Sequence, residues 1–254
     1  MCGRFVATRP ITDIAAAFDV RDVEVPAELM VPRWNVAPTD GVTAVTAWLP
    51  GDEPAPQRRL TGYRWGLVPP WAKDPSIGIR AFNARAETLS ERPSFRAALK
   101  ARRCLIPADA FYEWQKVTGA GGKVVRRQPW CFRAADGDLL ALAGLWEAWK
   151  PAAGATPEIA RAGAGWHGDW LLSCTVITTD ANESVSPVHD RMPVILQRGD
   201  WASWLSREPL DRPELDALLK PVPADCLQSY PVSPAVNSGR ADGPELMAPL
   251  RAST

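Results

Sequence analysis

The sequence predicts an α+β fold, a single domain built on a curved, largely antiparallel and barrel-like sheet flanked by short helices. Three observations lead there. Strand-like runs rich in β-branched and aromatic residues recur along the 254-residue chain, only a few short helical patterns separate them, and the helices do not alternate with strands in a βαβ rhythm. At 46% hydrophobic residues the chain can bury a large core.

The elements follow in order. Thr12 to Phe18 carries an N-cap threonine and then Ile14, Ala15 and Phe18 at helical spacing, a short amphipathic helix anchoring the start of the chain. Strands are expected at Val42–Leu49, Arg58–Trp65, Arg103–Trp114, Pro129–Arg133, Leu139–Trp149, Leu171–Thr179 and Pro193–Gln197. Further short helices fall near Ser94–Ala101 and Pro213–Leu219. Gly119–Lys123 and Pro151–Gly168, rich in Gly, Ala and Pro, read as exposed loops.

Composition narrows the function classes. Nowhere do about 18 apolar residues run together, and no charged and apolar leader precedes the first motif, so a soluble intracellular protein is expected. Five scattered cysteines without a Cys-x-x-Cys pair fit neither a disulfide framework nor a zinc site, and four of them read as core residues in a reducing compartment. The 29 basic and 29 acidic residues balance, so contact with nucleic acid needs a local basic groove. Of the cations 23 are Arg and 6 are Lys, a bias that a GC-rich genome explains more readily than phosphate binding does.

Cys2 is the unusual residue. Removal of Met1 would place an α-amine and a thiol on one residue, with small Gly3 beside it. An α-amine with a pKa near ~8 keeps a neutral fraction that attacks an aldehyde to a Schiff base, and the thiol then closes a five-membered thiazolidine. Read alone, Cys2 is more readily a buried or incidental second residue than a reactive one. His189, in the turn Pro187-Val188-His189-Asp190-Arg191-Met192-Pro193, is a titratable base beside a carboxylate and a guanidinium. His167, in the Gly-rich stretch, reads as a solvated loop residue. Glu113 sits in the apolar run Ala110–Trp114, where a carboxylate is either paired with a base or kept as a general acid/base with a raised pKa. Asn83 and Arg85, two residues apart on one face if extended, suit a sugar oxygen and a phosphate. Trp65, Trp71 and Pro38 offer surfaces that stack bases or belong to the core.

Together the segments MCGRF (1–5), WNVAPT (34–39), WGLVPPW (65–71), FNARAET (82–88), RCLIPADAFYEW (103–114), GLWEAW (144–149), TTDAN (178–182) and HDRMPVIL (189–196) resemble the SRAP family, the SOS-response-associated peptidases, over nearly the whole chain. The resemblance implies loss of Met1, capture of abasic sites in single-stranded DNA as a thiazolidine on Cys2, and a catalytic set of Cys2, Asn83, Glu113 and His189. It further implies phosphate contacts from Arg4, Arg85 and Arg191, which with the surfaces of Asn35, Pro38, Trp65 and Trp71 make up the expected DNA-binding set. One carboxylate and one imidazole supply the acid and base, so no cofactor or metal is expected, in a monomeric, cytoplasmic, nucleoid-associated bacterial protein. Thr118–Gln128 and Pro151–Gly168 depart from the family pattern, the first by extra Gly and basic residues. Two other readings use the same residues: a cysteine peptidase acting on other proteins, and a non-catalytic single-strand-binding module.

Overall fold

The computed structural model of the chain describes residues 2–49, 51, 56–151 and 164–250. Most of the expected loop at Pro151–Gly168 lies outside these. In chain order the elements are β1 (Arg4–Ala7), α1 (Ile11–Ala17), β2 (Asp22–Glu24), β3 (Arg33–Val36), β4 (Gly41–Trp48), β5 (Gln57–Trp65) and β6 (Asn83–Arg85). After these come α2 (Arg96–Ala101), β7 (Arg103–Ala108), β8 (Ala110–Thr118), β9 (Val124–Ala134), β10 (Leu140–Trp149), β11 (Trp166–His167) and β12 (Trp170–Asp180). The last are β13 (Arg191–Pro193), α3 (Trp201–Leu205), α4 (Arg212–Leu218) and β14 (Leu227–Pro231). The α+β architecture is as the strand-rich pattern predicts.

Five strands close into a barrel. β5, β4, β7, β10 and β12 pair antiparallel in that order, and β12 returns to β5 in parallel, with Ser173 opposite Arg64 and Cys174 opposite Trp65. Alternation along these strands feeds two cores, as a period of two requires. Val42, Ala44, Ile106, Leu142 and Val176 belong to one, while Val45, Leu105, Ala143 and Ile177 meet Ile14, Phe18, Leu99 and Trp204 in the other. At Gly144 a Cβ would stand 2.8 Å from Cys104 Sγ and 2.9 Å from Thr175 O, so the crossing of β7, β10 and β12 leaves room only for hydrogen.

A second antiparallel sheet, β14-β9-β8-β1-β3, lies against the barrel. One face sends Phe5, Phe111 and Phe132 into the cluster of Trp65, Ile106 and Leu142. The opposite face, with Val6, Ala110, Tyr112 and Cys131, packs on Val232, Val236 and Leu246.

The single strand expected at Arg103–Trp114 is two strands in two sheets. Asp109 is the break. Its carboxylate accepts hydrogen bonds from the Thr8 and Arg9 amides at 2.6 and 3.3 Å, so the chain turns there and β8 lies beside β1. The buried, mostly apolar run continues through the break from β7 into the start of β8, and only the side-chain acceptor marks it. Arg103, buried at the start of β7, donates to the carbonyls of Leu99, Lys100, Trp204, Ser206 and Glu208, fastening α2 and the end of α3 to the barrel.

Two further expectations change. His167 is not a solvated loop residue: it pairs with Trp170 in the β11–β12 hairpin, its Nε2 3.1 Å from Gly62 O. The run Pro193–Gln197 is not a regular strand, since β13 ends at Pro193 and Ile195 forms only an isolated bridge to Leu142. Gly119–Lys123 is the tight connection of the β8–β9 hairpin.

Candidate active site

The registers of three strands bring the sequence-predicted residues together. β1 runs antiparallel to β8 with Arg4 opposite Tyr112 and Phe5 opposite Phe111, so one step back Gly3 falls opposite Glu113 and Cys2 arrives at its side. β6 lies parallel to β12, with Asn83 opposite Val176 and Arg85 opposite Thr178. From there Asn83 Nδ2 donates to the Cys2 carbonyl at 2.7 Å. Asn83 Oδ1 is buried and accepts no hydrogen bond among the described residues, which leaves an acceptor for an amine or a sugar hydroxyl.

His189 reaches the same place on a turn built by Asn182. The Asn182 side chain accepts from the amides of Ser184 and Val185, both at 3.1 Å, and donates to Val222 O at 2.9 Å. His189 N then donates to Val185 O at 3.0 Å. Gln115, two residues beyond Glu113 on β8, donates to Pro187 O and holds this turn against the strand. Neither Asn182 nor Gln115 stands out in the sequence as a site residue; the TTDAN string carries the first as a turn former.

The electrostatics suit proton transfer near neutrality. Glu113 is 1% exposed, and burial pushes its carboxyl up to about 7. His189 Nε2 stands 3.9 Å from Glu113 Oε2. Burial holds the imidazole below its ordinary pKa. The Cys2 thiol is pushed well up, first by complete burial and then by the charge of Glu113, so it rests as the thiol. A neutral thiol, a carboxyl poised between its two forms and a neutral imidazole meet at one site.

The residues expected to meet DNA divide. Arg85 is exposed on β6 with Ala84 turned inward, and it forms no ion pair among the described residues. Trp71 is 59% exposed and Pro38 half-buried. Arg4 is half-buried, its Nη1 bound to Asn35 Oδ1 at 2.8 Å and to Val236 O at 2.9 Å. Asn35 and Trp65 lie inside. Asn35 spends its amide on the carbonyls of Val236, Ser238 and Ala241, and Trp65 packs on Phe5 and donates to Phe82 O. Both support the site from behind without presenting a surface. Arg191 donates to both oxygens of Glu87 and to Asp180, which neutralise it at the rim.

The sequence model of the family described as SOS response associated peptidase (SRAP) matches residues 1–239. The chain belongs to the SRAP family. Among its relatives, the Abasic site processing protein YoqW of Bacillus subtilis (strain 168) is 40% identical over 247 residues, 97% of this chain and 99% of that one. The Abasic site processing protein HMCES of Xenopus tropicalis is 30% identical, covering 98% of this chain and 78% of the other. Crystal structures share the fold. A Bacteroides thetaiotaomicron protein aligns with a TM-score of 0.77 at 20% identity, over 98% of this chain and all of that one. A Bordetella bronchiseptica protein does so with a TM-score of 0.68 at 27% identity, over 91% and 100%.

Proposed function

We propose that this SRAP protein processes abasic sites in single-stranded DNA by binding them covalently through Cys2. The observation that carries the reading is the Asn83–Cys2 hydrogen bond of 2.7 Å beside a carboxyl raised to about 7. It fixes the second residue of the chain, by its own backbone, against an acid/base group. An ordinary buried cysteine needs neither. Relatives named abasic site processing proteins over almost the full chain support the substrate.

The reaction begins with hydrolysis of the Met1–Cys2 bond, one water consumed and methionine released. On this reading the peptidase of the family's name acts in cis, and no other protein substrate is required. The Cys2 amine gives a proton to Glu113 and attacks the aldehyde carbon of the ring-opened sugar, forming a carbinolamine. Glu113 or His189 returns a proton to the hydroxyl, and water leaves to give the imine. Cys2 Sγ then adds to the imine carbon while its proton passes to nitrogen, closing the thiazolidine. Aldehyde and aminothiol become one ring and one water. Asn83 holds Cys2 throughout, and Arg4, Arg85 and Trp71 face the strand on either side.

The test is a denaturing gel of the protein with a single strand carrying one abasic site. A band that survives heat and high salt and disappears with Cys2→Ala or with intact DNA is the expected result. Chemical blocking of the α-amine, thiol left free, separates the readings further: it abolishes the band here, whereas a thiol peptidase would keep its activity. No band from protein whose mass shows Met1 removed would overturn the proposal.

A further inference from the structure

The β8 strand that carries Glu113 does not end at the site. It continues into a hairpin with β9 whose register sets Glu113 opposite Trp130, Gln115 opposite Gln128, Lys116 opposite Arg127 and Val117 opposite Arg126. Beyond Gln115 the hairpin leaves the body of the protein. Lys116 and all of residues 121–127 are exposed, with Val125 64% exposed near the tip.

The charge on this arm is one-sided. From Trp114 to Ala135 the sequence has no acidic residue and holds Lys116, Lys123, Arg126, Arg127 and Arg133, in a chain whose net charge is zero. Among the described residues none of the four cations of the arm is in an ion pair. Lys116 and Arg127 stand directly opposite one another, a like-charge pair that weakens a hairpin. A local choice that opposes folding and gains nothing in packing points to a role in binding. The partner that offsets such repulsion is a polyanion.

Geometry says which one. Side chains alternate, so Glu113, Gln115 and Val117 share a face of β8, and across the ladder that face continues through Gln128 to Arg126, while Lys116 and Arg127 stand on the other face, so the arm presents cations on both. The four steps from Glu113 to Val117 span about 14 Å at roughly 3.4 Å per residue. That equals about four nucleotides at the axial phosphate spacing of a stacked strand. Lys116 is also near enough to His189 to reinforce, after burial, the lowering of its pKa.

We infer that the β8–β9 hairpin is a basic arm that grips the phosphates of the single strand several nucleotides away from the abasic site held at Cys2. The inference rests on the DNA reading above and adds residues Lys123, Arg126 and Arg127 to it.

The experiment compares native protein with K123A/R126A/R127A, exposed positions whose loss leaves the fold intact. Binding of labelled, intact single strands is followed by fluorescence anisotropy across a salt series. A long strand of some thirty nucleotides should show a salt slope shallower by about two in the variant, at about 0.7 for each phosphate no longer neutralised. Its affinity should fall most at low salt. Covalent capture of a five-nucleotide strand with the abasic site at its centre, which leaves only about 7 Å of strand on either side and so does not reach Arg126, should proceed at the native rate. Equal slopes on the long strand overturn the inference, as does slower capture of the short one, which would place the cations at the site itself. A larger loss on a duplex than on the single strand overturns the choice of partner. Since intact DNA requires no chemistry at Cys2, failure of covalent capture leaves the salt series standing, and the two readings can fail separately.

Discussion

Two glutamates lie on strands of this fold beside tryptophans, Glu113 on β8 and Glu147 on β10, and both are almost completely buried, at 1% and 2%. Burial raises the pKa of each. Their partners separate them. Glu147 Oε1 accepts from Arg102 Nη2 at 2.7 Å, a fixed cation that offsets part of the desolvation and has no proton to exchange. Glu113 faces the titratable ring of His189 at 3.9 Å, next to the fixed Cys2. Burial alone makes a carboxylate costly, and the neighbour decides whether that cost becomes ion pairing or acid/base chemistry.

Exchanging each acid for its amide breaks the comparison most directly. Glu113→Gln should slow covalent capture by roughly 10²–10⁴-fold, the usual worth of a general acid/base, in a protein that still folds. Glu147→Gln should leave the capture rate of the folded protein near native and should not lower stability at neutral pH, because the Glu147 carboxyl is raised in the fold as well and Arg102, 32% exposed, keeps water and the amide oxygen as acceptors. Single-turnover gels and denaturant titration on the same two proteins give both numbers. If both variants lose rate alike, the distinction drawn between the two carboxyls is void.

A smaller effect concerns stability and pH. A carboxyl raised from 4.5 to about 7 in the folded chain binds more protons folded than unfolded between those values. Stability therefore falls as pH rises through that window and stays lowered above it. Removing the group should reverse the loss. Glu113→Gln is expected to match native stability near pH 4.5 and exceed it at pH 8 by up to about 3 kcal/mol. An unchanged difference across the window would show that Glu113 titrates normally, and the acid/base role would lose its physical basis.

Much of the site was legible because its residue types are expensive or rare where they stand. A second-position cysteine, a glutamate in an apolar run and a histidine in a turn each ask for a reason, and the fold joins them. The tryptophans of WGLVPPW were not separable by type. Trp65 closes β5 and is buried, while Trp71, past Pro69 and Pro70, is exposed. Composition is the same for both, and only the strand end decides. The sharp turn at Asp109 was hidden for a similar reason, since the buried apolar run of β7 continues into the start of β8 after a change of sheet. Short strands such as β1, β3 and β6 carry too few residues to show a period, and their existence follows from partners distant in sequence. Arg191, expected as a DNA contact, owes much of its neutralisation to Glu87, more than 100 residues away.

A third carboxylate sharpens the comparison from the exposed side, with the smallest effect. His189 Nδ1 lies 3.0 Å from the Arg191 amide, which donates, and 2.9 Å from Asp190 Oδ1, which accepts. It cannot satisfy both at once. The neutral ring, protonated at Nε2, takes the amide hydrogen bond; the imidazolium turns its Nδ1–H to Asp190. Asp190 therefore favours the charged ring against the burial that opposes it. Asp190→Asn should lower the His189 pKa further and move the acid limb of the capture profile down with it. Because the Asp190 side chain is 88% exposed, water and salt screen the pair, and the change should shrink as ionic strength rises. The sequence has only two histidines, so nitrogen NMR of the ring resolves the titration, with His167 on Gly62 O as the internal reference. An unmoved pKa at low salt would mean that the ring keeps the amide in both charge states, and proton exchange at the site would then depend on Glu113 alone.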